Sequence, residues 1–343
     1  MRIYLGVHSE SLGHFIRETE ILSNLIIANP DIVERKKVVL CTQRHISNSY
    51  FLQILKESFK ILKWPFGWTL QRVFNRISRK HQNSHEFFLD RNHEFVINIH
   101  KSPSILLNER LEKQIALHFE YHKEELGFDN YRIFAIRDSG YDESKFKKFD
   151  PRDQEYRNTP INYFIPSFNY LNSVGSGSVR VGRHNKTLIT SVYNHGIEIG
   201  NIECNNPDLC DFAMFYGASR VYSTGTGIDD IGLLLRKETI YLNIAPFGNV
   251  PQTPLIRVML ASDYFDSEGK RLSLSELINR NYHKLRPNEL IKQGKVQIKP
   301  KNSDFLLKLI SFVEGAKSDE DGKDMVNRMA NLGWGEQWQN VLY

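Results

Sequence analysis

The sequence predicts an α/β protein made of two successive units, and three observations carry that reading. Short β-rich apolar runs alternate with longer stretches whose apolar residues recur at helical spacing. The alternation starts twice, once at the N-terminus and again near residue 131. The composition can fill both units: 343 residues, 41% hydrophobic and 12% aromatic, match ordinary globular usage and exclude wholesale disorder.

In order, residues 2–8 (RIYLGVH) read as a strand and residues 9–13 (SESLG) as a small polar loop. Residues 14–28 place Phe15, Thr19, Leu22 and Ile26 on one helical face, and Pro30 stops the helix. A second strand, residues 37–41 (KVVLC), follows directly. Strand, helix and strand at this spacing form the βαβ unit of a parallel sheet. Residues 95–99 read as another strand and residues 105–126 as a long amphipathic helix. The turn residues at 127–130 (GFDN) read as a hinge. The second alternation then predicts strands at 131–136, 178–181, 220–223 and 239–242, with helices at 162–171, 207–216 and 229–235. These elements divide the chain into domains at 1–128 and 129–343, with the final helices expected to pack back on the first. The charge-rich insert at 142–159 reads as a surface loop.

Mean hydropathy is −0.43, and no run approaches the ~20 apolar residues of a membrane-spanning helix. The N-terminus reads as a strand rather than a secretion signal, and three cysteines (Cys41, Cys204, Cys210) are an odd count in a large chain. A reduced, cytoplasmic protein is the expectation. The net charge of +5 is mild, but residues 58–82 hold six Lys or Arg and no carboxylate. There Leu70, Val73, Phe74 and Ile77 share one helical face, while Arg72, Arg76 and Arg79 lie on the other side, just after Trp64 and Trp68. A cationic amphipathic helix beside tryptophans suits an anionic membrane surface. The plainer reading is a solvated basic face on an ordinary helix. No nucleic-acid motif accompanies these charges.

Chemistry concentrates at predicted strand ends, where open parallel sheets bind ligands. In VYSTGTGIDDIG (residues 221–232), a strand ends at Ser223, a loop of Thr224, Gly225, Thr226 and Gly227 follows, and a helix opens at Asp229. Such a loop offers backbone N–H groups, hydroxyls and a helix N-terminus to an anion. It is neither a Walker A loop nor a dinucleotide fingerprint. Arg137 and Asp138 follow one strand, and Arg180 and Arg183 flank Gly182 after another. Guanidinium groups there can clamp a phosphate. Arginines exposed at loop starts, and a tight turn capped by Asp229, are the plainer readings. In the first half, His14 opens a helix at a strand-end loop and could act as general base on an acceptor hydroxyl. Glu18, one turn later, could orient that ring or be the base itself. The other histidines show no ligand spacing, so no metal is expected.

With these positions laid out, the sequence resembles a family of bacterial glycosyltransferases from surface-polysaccharide gene clusters, built on the GT-B plan of two facing Rossmann-like domains with a ligand cleft between them. The resemblance rests on SLGHFIRETE (residues 11–20), IRD with Tyr141, Arg157, Asn158 and Tyr163, VRVG (residues 179–182), STGTGID (residues 223–229), and Asn243 with Pro246. It implies a metal-independent transfer of sugar from a nucleotide-sugar donor to a hydroxyl of a surface glycan or its lipid-linked precursor, with no cofactor. Arg180 and the loop from Ser223 to Gly227 would hold the donor diphosphate, and His14 or Glu18 would face the acceptor. It further implies a cytoplasmic enzyme, peripheral at the inner face of the membrane. The alternatives are a catalytically degenerate subunit or glycan-binding module, and another nucleotide-dependent transferase of glycan assembly.

Overall fold

The protein is described here from a computed structural model, which defines residues 3–28, 38–63, 105, 107–140, 143, 154–250, 255–285, 287–315, 322–333, 336–338 and 340–343. The first half builds a three-stranded parallel sheet in the order β1 (Ile3–Val7), β2 (Val38–Thr42), β3 (Lys60–Lys63). Helix α1 (Leu12–Ala28) links the first two strands and α2 (Ser49–Ser58) the second and third. Asn48 caps α2 by accepting the Phe51 N–H at 2.7 Å. Helix α3 (Glu109–Leu126) is capped by Asn108 and stopped by Gly127 at φ 65°, the turn expected at the hinge.

The second half is an eight-stranded sheet. Its parallel strands are β4 (Tyr131–Ala135), β5 (Gly177–Arg180), β6 (Gly196–Glu198), β7 (Arg220–Ser223), β8 (Thr239–Ile244) and β9 (Ile256–Ala261). A terminal hairpin, β12 (Gln337–Trp338) and β13 (Val341–Leu342), adds the far edge; β10 (Asp263–Phe265) and β11 (Gln297–Lys299) pair separately. Across the parallel strands the order is β6-β5-β4-β7-β8-β9. This is the doubly wound Rossmann arrangement, and its strand order reverses between β4 and β7. The chain is therefore α/β with Rossmann-like parallel sheets, as expected.

Alternation along β4 covers both faces of the large sheet. Tyr131, Ile133 and Ala135 enter a core shared with α3 and with α5 (Pro207–Gly217). Phe134 and Ile136 enter another, under α4 (Ile165–Ser173) and α9 (Ser303–Gly315). Leu306, Leu309, Ile310 and Val313 supply the apolar stripe of α9. The first of these cores also takes Val7, Phe15, Leu22 and Phe51 from the first half, so one apolar interior runs between the two sheets. Tyr50 marks the seam, its ring edge-on to Phe212 at 5.3 Å and its hydroxyl donating to the Leu111 carbonyl at 3.0 Å.

Several expected elements change form. The helix at 162–171 begins as a 3-10 turn, Ile161–Phe164, because Pro166, lacking an N–H, fits only the first turn of an α-helix, which therefore starts at Ile165. The helix at 229–235 is only the five residues of α6 (Asp230–Leu234). Strand β8 runs on to Ile244 through Asn243 in the left-handed region at φ 55°, anchored by the Lys301 N–H donating to its Oδ1 at 2.7 Å. The strand expected at 95–99, and the proposed membrane-surface residues Trp64, Trp68, Arg72, Arg76 and Arg79, lie outside the described residues. No described helix is long and apolar enough to cross a membrane.

Candidate functional site

Above the carboxyl ends of β4, β5, β7 and β8 lies a cavity of about 800 Å³. It opens at the switch point of the large sheet, where parallel strands splay their loops apart. Its floor is the loop from Thr224 to Gly227. The Thr224 hydroxyl accepts the Arg137 N–H at 2.8 Å, and the Thr224 N–H donates to the Ala135 carbonyl at 3.0 Å, which staples the ends of β4 and β7 together. Gly225, at φ 78°, makes the turn that an L side chain would strain. Its N–H donates to the Ser223 hydroxyl at 3.0 Å, which itself donates to Asp229 Oδ2 at 2.7 Å. Ser223 and Asp229 are thus buried braces beneath the loop rather than ligand contacts. Burial pushes the Asp229 carboxyl up, against the opposing pull of Ser223 and of Arg17.

The first half closes the other side of the cavity with Ser11, Gly13, His14, His45 and Ser47. Helix α1 sits directly on the glycine loop. A Cβ on Gly13 would meet Gly227 Cα at 2.7 Å and Asp230 Oδ2 at 2.8 Å. Arg17, one turn on, forks onto the buried Asp230 carboxylate at 2.9 and 3.1 Å. Arg236 pairs with Glu20 at 2.8 Å. These contacts point the first turn of a 17-residue helix into the cavity. The five-residue α6 is too short to supply the dipole expected of it, so α1 takes that role. Gly13→Ala is expected to destabilise the protein by about 1–3 kcal/mol, because backbone rather than a movable side chain blocks the added methyl. Gly200→Ala, with nothing within 4 Å, is the matched control. Equal melting temperatures for the two variants would mean that α1 is not seated on the loop.

The structure brings most of the sequence candidates together and, besides Ser223 and Asp229, removes two more from the cavity wall. Arg137, Asp138, Arg183, Thr224, Gly225, Thr226, Gly227 and His14 line the cavity. Asp138 is occupied in shaping the rim, accepting the N–H groups of Gly140 and Lys186 at 2.9 and 2.8 Å. Arg183 reaches onto the first turns of α5, pairing with Asp208 at 2.7 Å and with Asp211. Burial pushes the Asp211 carboxyl up to about 6 despite this arginine.

Arg180 is the first correction. It is fully buried beneath the cavity, donating to the Thr187 carbonyl, to the Ile136 carbonyl at 3.2 Å and to Asp138 at 2.9 Å, with Glu198 at 4.0 Å. Strand alternation turns it inward, where it organises the β4 and β5 loops as a structural cation. Glu18 is the second. Its carboxylate accepts the His8 N–H at 2.8 Å and lies 2.8 Å from His8 Nδ1, so it orients His8 and does not border the cavity. The His8 ring is 6.2 Å from that of His14.

Arg157, His45 and Asn185 line the cavity and went unassigned in the sequence, except that Arg157 belonged to the resemblance. The insert at 142–159 is not all surface loop. A 3-10 turn, Glu155–Arg157, carries Tyr156 and Arg157 back over the glycine loop, where Arg157 donates to the Gly225 carbonyl. Apart from the spacing of Arg157, Asn158 and Tyr163 in the resemblance, the sequence shows only an arginine inside a polar run.

No protein-family model and no curated protein matches the sequence. Among solved structures, the chain is similar to a glycosyl transferase family 9 protein from Veillonella parvula DSM 2008, with 13% identity, a TM-score of 0.49, and coverage of 85% of this chain and 95% of that one. It is also similar to the E. coli ADP-heptose lps heptosyltransferase II, with 12% identity, a TM-score of 0.46, and coverage of 85% and 100%.

Proposed function

We propose that the cavity binds a nucleotide-linked sugar and transfers the sugar to an acceptor hydroxyl, as a glycosyltransferase. The observation that carries this reading is the meeting of three anion-seeking features at the switch point: the glycine loop, the first turn of α1, and the guanidinium groups of Arg137 and Arg157. A diphosphate suits all three. The Thr226 hydroxyl supports the same reading, being buried on this wall with no hydrogen-bond partner among the described residues. The resemblance noted in the sequence supplies the reaction class.

In this mechanism the departing diphosphate gathers negative charge as the glycosidic bond to it breaks. Fixed N–H dipoles and arginines stabilise that charge without reorganising, which is where most of the rate enhancement arises. His14, on the wall contributed by the first sheet, takes the proton from the acceptor hydroxyl. Arg137 and Arg157 replace Arg180 as the diphosphate clamp. The acceptor is a glycan or lipid-linked glycan, the chain works at the cytoplasmic membrane face, and no metal takes part in the transfer.

A panel of nucleoside diphosphates is expected to raise the melting temperature by mass action, one base more than the others. Arg157→Ala should weaken the preferred nucleotide by at least about tenfold, the loss of one charge-assisted contact. No thermal shift with any nucleotide would leave a non-catalytic glycan-binding role as the better reading.

A further inference from the structure

A second cluster of chemistry-bearing side chains lies away from the cavity, on the outer side of the seam between α3 and α5. His118 and His122 are four residues apart on α3, which sets both rings on one face of the helix, their centroids 4.7 Å apart. Facing them are Cys210, in the first half of α5, and Cys204, in the loop leading into it. The nitrogen and sulfur atoms these residues offer all lie within 4.8 Å of one another. His118 Nε2 is already 3.0 Å from Cys204 Sγ. The helices come this close because Gly217 presses directly on the Phe119 ring, where any Cβ would collide.

We propose that His118, His122, Cys204 and Cys210 bind a structural zinc ion. Four considerations support this assignment. The donor set is two imidazoles and two thiolates, the Cys₂His₂ combination that selects zinc in tetrahedral geometry. The size fits: bonds of ~2.0–2.3 Å imply ligand separations of ~3.3–3.8 Å, so the present spacing closes by at most about 1.5 Å. The site would be neutral, two thiolates balancing the dication, which suits a place where His122 and Cys210 are buried against the main apolar core. Finally, His122 Nε2 is buried with no hydrogen-bond partner among the described residues, while its Nδ1 lies 3.2 Å from the Glu125 carboxylate. That is the pairing in which a carboxylate orients the imidazole whose other nitrogen holds the metal. Cys204 is half-exposed and provides an entry path.

The proposal departs from the expectation that the histidines lack ligand spacing. The spacing between residues 118 and 122 was visible, but its sulfur partners lie more than eighty residues further along the chain. The ion would pin the loop before α5 to α3 and stiffen the helix that carries Asp211 to the cavity and Asp208 to Arg183. It takes no part in transfer.

The test uses the full-length protein, purified without a histidine tag and with reductant present. Elemental analysis after growth in zinc-supplemented medium should find about one zinc per chain. Exchange with Co²⁺ should give the intense visible bands of a tetrahedral site together with thiolate-to-cobalt charge transfer. Cys204→Ser and His118→Ala should each lower metal content at least about tenfold, since a lost ligand costs no less than a lost supporting group. If those variants fail to fold, chelation of the wild-type protein is the readout. Stripping should lower its melting temperature and zinc alone should restore it. Zinc far below one per chain, octahedral cobalt spectra, cobalt bands that survive Cys204→Ser, or a Cys204–Cys210 disulfide found under reductant would each overturn the proposal. Nucleotide binding plays no part in these readouts, so they stand or fall independently of the transferase reading.

Discussion

His14→Ala is expected to lower the rate of sugar transfer by roughly 10²–10⁴-fold, the usual contribution of a positioned general base. Nucleoside diphosphate affinity should stay within about twofold, because the first turn of α1 meets the diphosphate through backbone N–H groups, which the substitution keeps. The side chain is exposed to the cavity in the first turn of α1, and that helix is fixed by its Gly13 contact and the Arg17–Asp230 fork. Loss of a base should show in kcat and leave nucleotide binding alone. Near-normal turnover in the variant would remove His14 from the mechanism.

Glu314→Ala should cost about 3–5 kcal/mol of stability, the range for removing one partner of a buried ion pair. At the amino end of the large sheet, far along the strands from the cavity, this carboxylate accepts two bonds from Arg132 at 2.9 and 2.6 Å, one from Arg220 at 3.0 Å and one from the Tyr222 hydroxyl at 2.6 Å. Its side chain is only 6% exposed, so truncation strands the Arg132 guanidinium with little water to replace it and leaves Arg220 with Glu238 as its remaining carboxylate. Burial works against its ionisation, but Arg132 and Arg220 prevail and hold the carboxyl below its usual 4.5. A depressed carboxyl stabilises the fold fully above that pH and loses the effect as pH falls further. Denaturant unfolding at pH 7 should therefore show the deficit, and the gap between wild type and variant should narrow under acid. A midpoint unchanged at neutral pH would mean the network contributes nothing.

The α/β class, the two starts of the alternation and the strand ends that carry loops were legible in the chain. Each depends on a local pattern of period two or 3.6 and on turn residues within a few positions. The strand of residues 220–223 and the Gly127 stop were read where they stand because nothing distant competes with those preferences. The glycine loop was legible for the same reason: Gly225 needs its φ whatever packs above it.

Partnership was not legible, since it is decided by residues far apart in sequence that the sheet order brings together. Arg180 and Arg137 look alike as arginines near strand ends, yet the pleat turns one inward to Asp138 and Glu198 and leaves the other on the wall. Glu18 is one turn from His14, but its partner is His8, across the loop. Arg157 sits in a polar run whose return to the Gly225 carbonyl no local rule encodes. The chain by itself determined where backbone turns expose N–H groups; only the tertiary structure decided which charges face them, because Coulomb and hydrogen-bond energies depend on distance in space and local propensity does not.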